Sequence, residues 1–217
     1  MLAGALMSNM NPILVLRVRR RLSRYHPGMS FGDDFEWLDD DAIVGYSVSF
    51  VEAVEPVEAF KRIGAVVDAV PELSAAEADE FASAAGGQSV IRAGRRGAWT
   101  VLIEHDANKG VNERTLPALS AGTRVVSVFS SASGMDLFYY AEDGRLTTIV
   151  ETTIPANRYG EQPDRFLSEL SEVGLAPDDE PESVRAATMA LVRSVWGVSV
   201  DEHMMFDAPL LTALIRQ

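Results

Sequence analysis

Apolar residues recur along this chain with two periods, and the change from one to the other marks out the elements. Across 43–51 the period is two. Val44, Tyr46, Val48 and Phe50 alternate with Gly45, Ser47 and Ser49, the pattern of a strand with one buried face. Trp99, Val101 and Ile103 alternate in the same way with Thr100, Leu102 and Glu104, and 89–92 reads as a shorter strand before them. Three more strand-like runs, 123–130, 135–142 and 145–152, are separated by Ser133-Gly134 and Asp143-Gly144. Asp-Gly between such runs favours a tight hairpin, so these three are expected to form an antiparallel meander.

The helical period governs most of the rest. The acidic stretch 29–41, anchored by Trp37 and Leu38, reads as a short helix or cap. Pro56 opens a helix with Val57, Phe60 and Ile63 in one stripe, and Gly64 ends it. Ser74 followed by Glu77 is a capping box, starting a helix that runs through Phe81 and stops before Gly86-Gly87. A short helix around Leu116 follows the loop 105–113. Two longer ones, 164–173 and 182–196, carry Leu170 and Leu191 and are closed by Gly174 and Gly197. Asp201 is expected to cap a short turn. Asp207 is expected to cap a final helix carrying Leu210, Leu211 and Leu214. The fold class expected is α+β: an antiparallel sheet of about five to six strands with a C-terminal meander, its helices covering one face. Phe60, Trp99, Val101, Leu170, Leu191 and Leu214 are the expected core.

Composition narrows the class. The chain has 217 residues, 47% hydrophobic and 24% charged, within range for one domain with a sizeable core. It contains no cysteine, so neither disulfides nor thiolate chemistry are available, which fits a reducing cytoplasm. Net charge is -13. Residues 1–28 hold five arginines (Arg17, Arg19, Arg20, Arg21 and Arg24) and no acid. Residues 29–217 therefore carry 14 basic and 32 acidic groups, a net of -18. So acidic a body repels phosphate backbones and disfavours nucleic acid. The arginines of the tail follow a short apolar run, the reverse of a secretory signal, and no stretch reaches the ~20 apolar residues of a membrane helix. Residues 1–28 are set apart as a doubtful basic tail, with Met29 as an alternative start. Residues 29–217 are read as one α+β domain.

The segments Trp37-Leu38, 47–51, 97–101, 119–128 and 140–144 together resemble an uncharacterised actinobacterial family, a domain of unknown function, over about residues 37–216. These are turn and core patterns. The resemblance implies a fold and carries over no catalytic residue.

Candidate chemistry is sparse. His26, His105 and His203 lie far apart and form no His-Glu-x-x-His spacing. Each reads more simply as a surface or hydrogen-bonded histidine than as a ligand. Asp106, Asn108 and Gly110 resemble the opening of a calcium loop, but Val111 stands where the loop needs glycine and Pro117 where it needs a bidentate glutamate. A polar strand-to-helix loop is the preferred reading, and neither metal nor cofactor is expected. Arg92, Arg95 and Arg96 flank a glycine turn and could grip a carboxylate or phosphate, although a basic hairpin tip explains them as well. Ser130, Ser131 and Ser133 read as turn serines. Asp39, Asp40 and Asp41 could receive a basic partner, although a solvated acidic face is the plainer explanation. No phosphate-binding glycine loop is present.

Three functions remain, ranked in this order. The first is a non-catalytic interaction protein, of accessory or immunity type, that binds a basic protein through its acidic surface. The second is a metal-assisted or hydrolytic enzyme using the loop 104–113. The third is a small-ligand module using Phe138, Tyr139 and Tyr140. The candidate binding residues are Asp39, Asp40, Asp41, Arg95, Arg96, His105 and Asp106.

Overall fold

A computed structural model describes residues 33–41, 43–105, 108–179 and 181–215. The tail 1–28, Met29 and Asp106 lie outside the described residues. The fold mixes helices and strands around one open antiparallel sheet.

The strands are β1 (Tyr46–Glu52), β2 (Glu72–Leu73), β3 (Val90–Arg96), β4 (Trp99–His105), β5 (Arg124–Ser130), β6 (Asp136–Glu142), β7 (Arg145–Glu151), β8 (Arg158–Tyr159) and β9 (Leu210–Leu214). They lie side by side in the order β2-β9-β3-β4-β1-β5-β6-β7-β8. The sheet thus has nine strands rather than five to six. The expected meander is present as β5-β6-β7, antiparallel throughout. Its second turn places both Asp143 (φ 50°) and Gly144 (φ 77°) in the left-handed region, which matches the twist of the flanking strands.

The largest departure from the sequence reading is β9. Residues 210–214 form a strand between β2 and β3, not a helix. Leu210, Leu211 and Leu214 satisfy helical spacing, but a five-residue apolar run fits a doubly covered strand equally well. Position in the sheet decided it. Leu210 faces one core and Ala213 the other, so apolar residues are needed at both parities. Leu214 is half-buried, whereas Phe60, Trp99, Val101, Leu170 and Leu191 are buried as expected.

Helices cover both faces of the sheet, not one. On the first face Val48, Phe50, Val101, Val126 and Phe138 pack beneath a 3-10 helix (Asp33–Asp39), α4 (Leu167–Glu172) and α5 (Val184–Trp196). On the second, Val51, Leu102, Val125 and Ala141 pack beneath α1 (Pro56–Arg62) and α3 (Leu116–Leu119). The second face was hidden in the sequence by its small polar residues. Ser47, Ser49, Thr100 and Ser127 are all buried there. Ser49 and Ser127, opposite one another, share a 2.7 Å hydroxyl–hydroxyl hydrogen bond, which removes much of the cost of burying them.

The helix ends follow the sequence closely. Ser74 and Glu77 form the capping box of α2 (Ala75–Ala84). Ser183 accepts from Ala186 at the start of α5, and Gly197 ends it in a left-handed conformation. Asp201 caps a short turn as expected, its Oδ1 accepting from the amide of Met204 at 2.7 Å. That turn is a π-helix (His203–Asp207), a form that recurs at functional sites.

Candidate functional site

Register builds one polar row across an end of the first sheet face. Tyr46 lies opposite both His105 and Ser130. Ser130 lies opposite Asp136, and the amide of Thr152 donates to the Asp136 carbonyl at 2.9 Å. Five neighbouring strand ends, those of β4, β1, β5, β6 and β7, therefore present His105, Tyr46, Ser130, Asp136 and Thr152 side by side, where the interior of the same face is apolar. Ser130 Oγ, Asp136 Oδ1 and Thr152 Oγ1 are buried without a hydrogen-bond partner. Each such group costs about 1–3 kcal/mol, so this row is retained against stability.

The approach to the row is held by Arg185 of α5. Its Nη1 donates to the carbonyls of Leu38 at 3.0 Å and Ile43 at 3.2 Å, which pins the segment carrying Asp39, Asp40 and Asp41 to the end of the sheet. Burial pushes the Tyr46 phenol up, Arg185 opposes this, and Asp136 and Asp39 add to it. All three charges thus act on one hydroxyl. Asp39 and Asp41 are exposed and Asp40 is half-buried. Val44, Met135 and Ile154 lie at this same end. Val44 precedes β1, Met135 precedes β6 and Ile154 follows Thr152. All three are exposed large hydrophobics, at 52%, 47% and 49%.

At the β4 end of the row, His105 meets Arg92 of β3. Arg92 is buried, its Nη2 donates to the carbonyl of Met205 in the π-helix, and His105 Nε2 lies 3.1 Å from that Nη2 and 3.2 Å from the same carbonyl. Its Nη1 reaches the Ala208 carbonyl at 3.5 Å. Burial lowers the Arg92 guanidinium to about 10, with Asp79 opposing. Burial and the Arg92 charge lower His105 to about 3, so the imidazole is neutral at physiological pH. The His105 ring also packs against Phe206, their centroids 5.6 Å apart.

Arg95 and Arg96 do not join this cluster. Arg95 pairs with Glu55 at 2.9 Å, and Arg96 pairs with Asp201. Both are exposed hairpin arginines balanced by acids. Arg92, grouped with them by sequence, is their opposite in burial. The loop after β4 is held instead by a residue the sequence did not single out for binding. Glu104, buried on the second face, accepts from the amides of Gly110 at 2.8 Å and Val111 at 2.9 Å. Among the described residues no group of three or more His, Asp or Glu could hold a metal ion. Phe138 and Tyr140 stack on Trp196 and meet Phe166 edge-on in the first core, while Tyr139 faces the second. The three aromatics therefore form no common surface. Ser131 and Ser133 are turn residues, their hydroxyls 2.9 Å apart. Ser130 is not, as it belongs to the polar row. Its place there was readable only from the β5-β6 register.

The fold and site define an open, mixed helix-and-strand sheet protein with a polar row at one end. A family model of unknown function, DUF6461, matches residues 30–217, and the chain belongs to that family. Among curated proteins and solved structures, none matches the chain. No helix of the described residues is long and apolar enough to cross a membrane.

Proposed function

We propose that this chain is a non-catalytic interaction protein of accessory or immunity type, and that it binds a basic protein through the sheet end carrying Asp39, Asp40 and Asp41. One observation carries the reading. Val44, Met135 and Ile154, three of the exposed large hydrophobics, lie at the end to which Arg185 pins the acidic segment. Apolar anchors edged by charge of one sign are what a protein interface needs. The anchors supply buried area, and the charge steers the encounter and excludes wrong partners. A net of -18 over residues 29–217 selects a basic partner. Residues 29–217 act as one domain in this reading, in a cytoplasm suited to a chain without cysteine.

The test is a photo-crosslinking amino acid placed at Met135 and, as a control, at the exposed Lys61 of α1, over the other sheet face. The Met135 probe captures a basic protein and the Lys61 probe does not. With that partner purified, Asp39→Lys combined with Asp41→Lys slows association, and raising the salt slows it further, because rim charges act mainly on association. Capture of only neutral or acidic proteins, or kinetics indifferent to salt, would leave the acids as solubility devices and end the proposal.

A further inference from the structure

A second feature lies on the first sheet face between α2 and strands β3 and β4. A cavity of about 140 Å³ opens there, with Ala78, Ala82, Val90 and Ile103 among its walls and Arg92 and His105 lining it. We propose that this cavity is a binding site for a small organic monocarboxylate, held by the Nε–H of Arg92.

The argument begins with the guanidinium. Arg92 is 1% exposed, and Nη1 and Nη2 are committed to the Ala208 and Met205 carbonyls and to His105. Its Nε–H is buried and has no hydrogen-bond partner. A buried charged donor left unmatched is among the costlier arrangements in a protein, and here it belongs to a side chain lining a cavity. His105 Nε2 lies 3.1 Å from Arg92 Nη2 and 3.2 Å from the Met205 carbonyl, so that nitrogen is occupied within the protein. An open cationic donor on the cavity wall suits a carboxylate, whose oxygen accepts from Nε–H in a charge-assisted hydrogen bond.

Size and charge favour a small anion. Ligand sites for drug-sized molecules span about 300–1,000 Å³, and this cavity, at 140 Å³, lies well below that range. A phosphate dianion would bring two negative charges into a cavity whose lining includes the carboxylate of Asp79, exposed on α2. A short monocarboxylate brings one, and its aliphatic part meets Ala78, Ala82, Val90 and Ile103.

Acetate, propionate and butyrate titrated into the full chain by calorimetry and thermal shift test this, with phosphate and chloride as comparators. At least one carboxylate is expected to bind saturably and to raise Tm, with phosphate weaker by about tenfold or more. Ala82→Leu fills the cavity from a helix position that tolerates leucine and leaves Arg92 in place. It is expected to weaken carboxylate binding by about tenfold or more while circular dichroism stays native. Arg92→Lys keeps a charge but removes Nε–H and is expected to do the same. Should Arg92→Lys fail to fold, Ala82→Leu still decides. No saturable binding by any carboxylate, unchanged affinity in Ala82→Leu, or a preference for phosphate would overturn the proposal.

Discussion

Glu104 holds Gly110 by a 2.8 Å hydrogen bond from the Gly110 amide to its buried carboxylate. The contact is tight on its other side too, because a Cβ at Gly110 would lie 3.3 Å from Glu104 Oε1 and 3.0 Å from Ile215 Cδ1. A strand residue and the loop that follows it are therefore locked together through one titratable group.

Glu104 should make stability depend on pH. Burial raises its carboxyl to about 7, against backbone hydrogen bonds from Gly110, Val111 and Lys109 that pull it down. The native state then keeps a proton that the unfolded state releases above about 4.5. This contribution is full below that pH and is lost as pH rises to 7, about 3 kcal/mol in all. In urea titrations, the stability of Glu104→Gln relative to the parent should rise across this window. A difference that stays flat with pH would show that Glu104 does not titrate there.

His105 acts in the opposite sense. Its folded value of about 3 lies below the ordinary 6.5, so the unfolded state takes up a proton first. The stability this gives is present above 6.5 and is lost as pH falls towards 3. By NMR the His105 ring should remain neutral from neutral pH down to about 4. A midpoint near 6.5 would mean that His105 is not buried against Arg92 in solution.

Leu191 lies fully buried in α5. Leu191→Ala should cost about 2–5 kcal/mol in a urea titration. A loss below ~1 kcal/mol, the size of an ordinary substitution, would contradict its packing.

Gly94 tests the placement of β9 and the π-helix together. A Cβ there would lie 2.8 Å from both Leu210 Cδ2 and Met204 Cε. Both are side-chain tips, so they yield at a cost. Gly94→Ala should destabilise by about 1–3 kcal/mol. Shortening the neighbour, in Gly94→Ala with Leu210→Val, should recover part of the loss if the two positions touch.

Much of the sheet was legible before its coordinates were known. Strict alternation located β1 and β4, and the Asp143-Gly144 turn located β6 and β7, because those signals are local. The edges were not legible. Two-residue strands such as β2 and β8 carry no period, and β9 is too short for its apolar run to separate strand from helix. The polar row was hidden for a further reason. His105, Tyr46, Ser130, Asp136 and Thr152 are drawn from 46 to 152 and become neighbours only through register. Arg92 looked like its neighbours Arg95 and Arg96 because burial is a tertiary property. His105 stands beside Asp106 in sequence, and its contact with Arg92 appears only in space.

The position of β9 bears on synthesis. Residues 210–214 lie between β2 and β3, so a nascent chain that has reached the end of α5 holds β3 with one side unpaired. The sheet cannot close until this segment has left the ribosome and inserted, which exposes the β3 edge to other chains until then. A chain truncated before 210 would lose a sheet interior rather than an appendage.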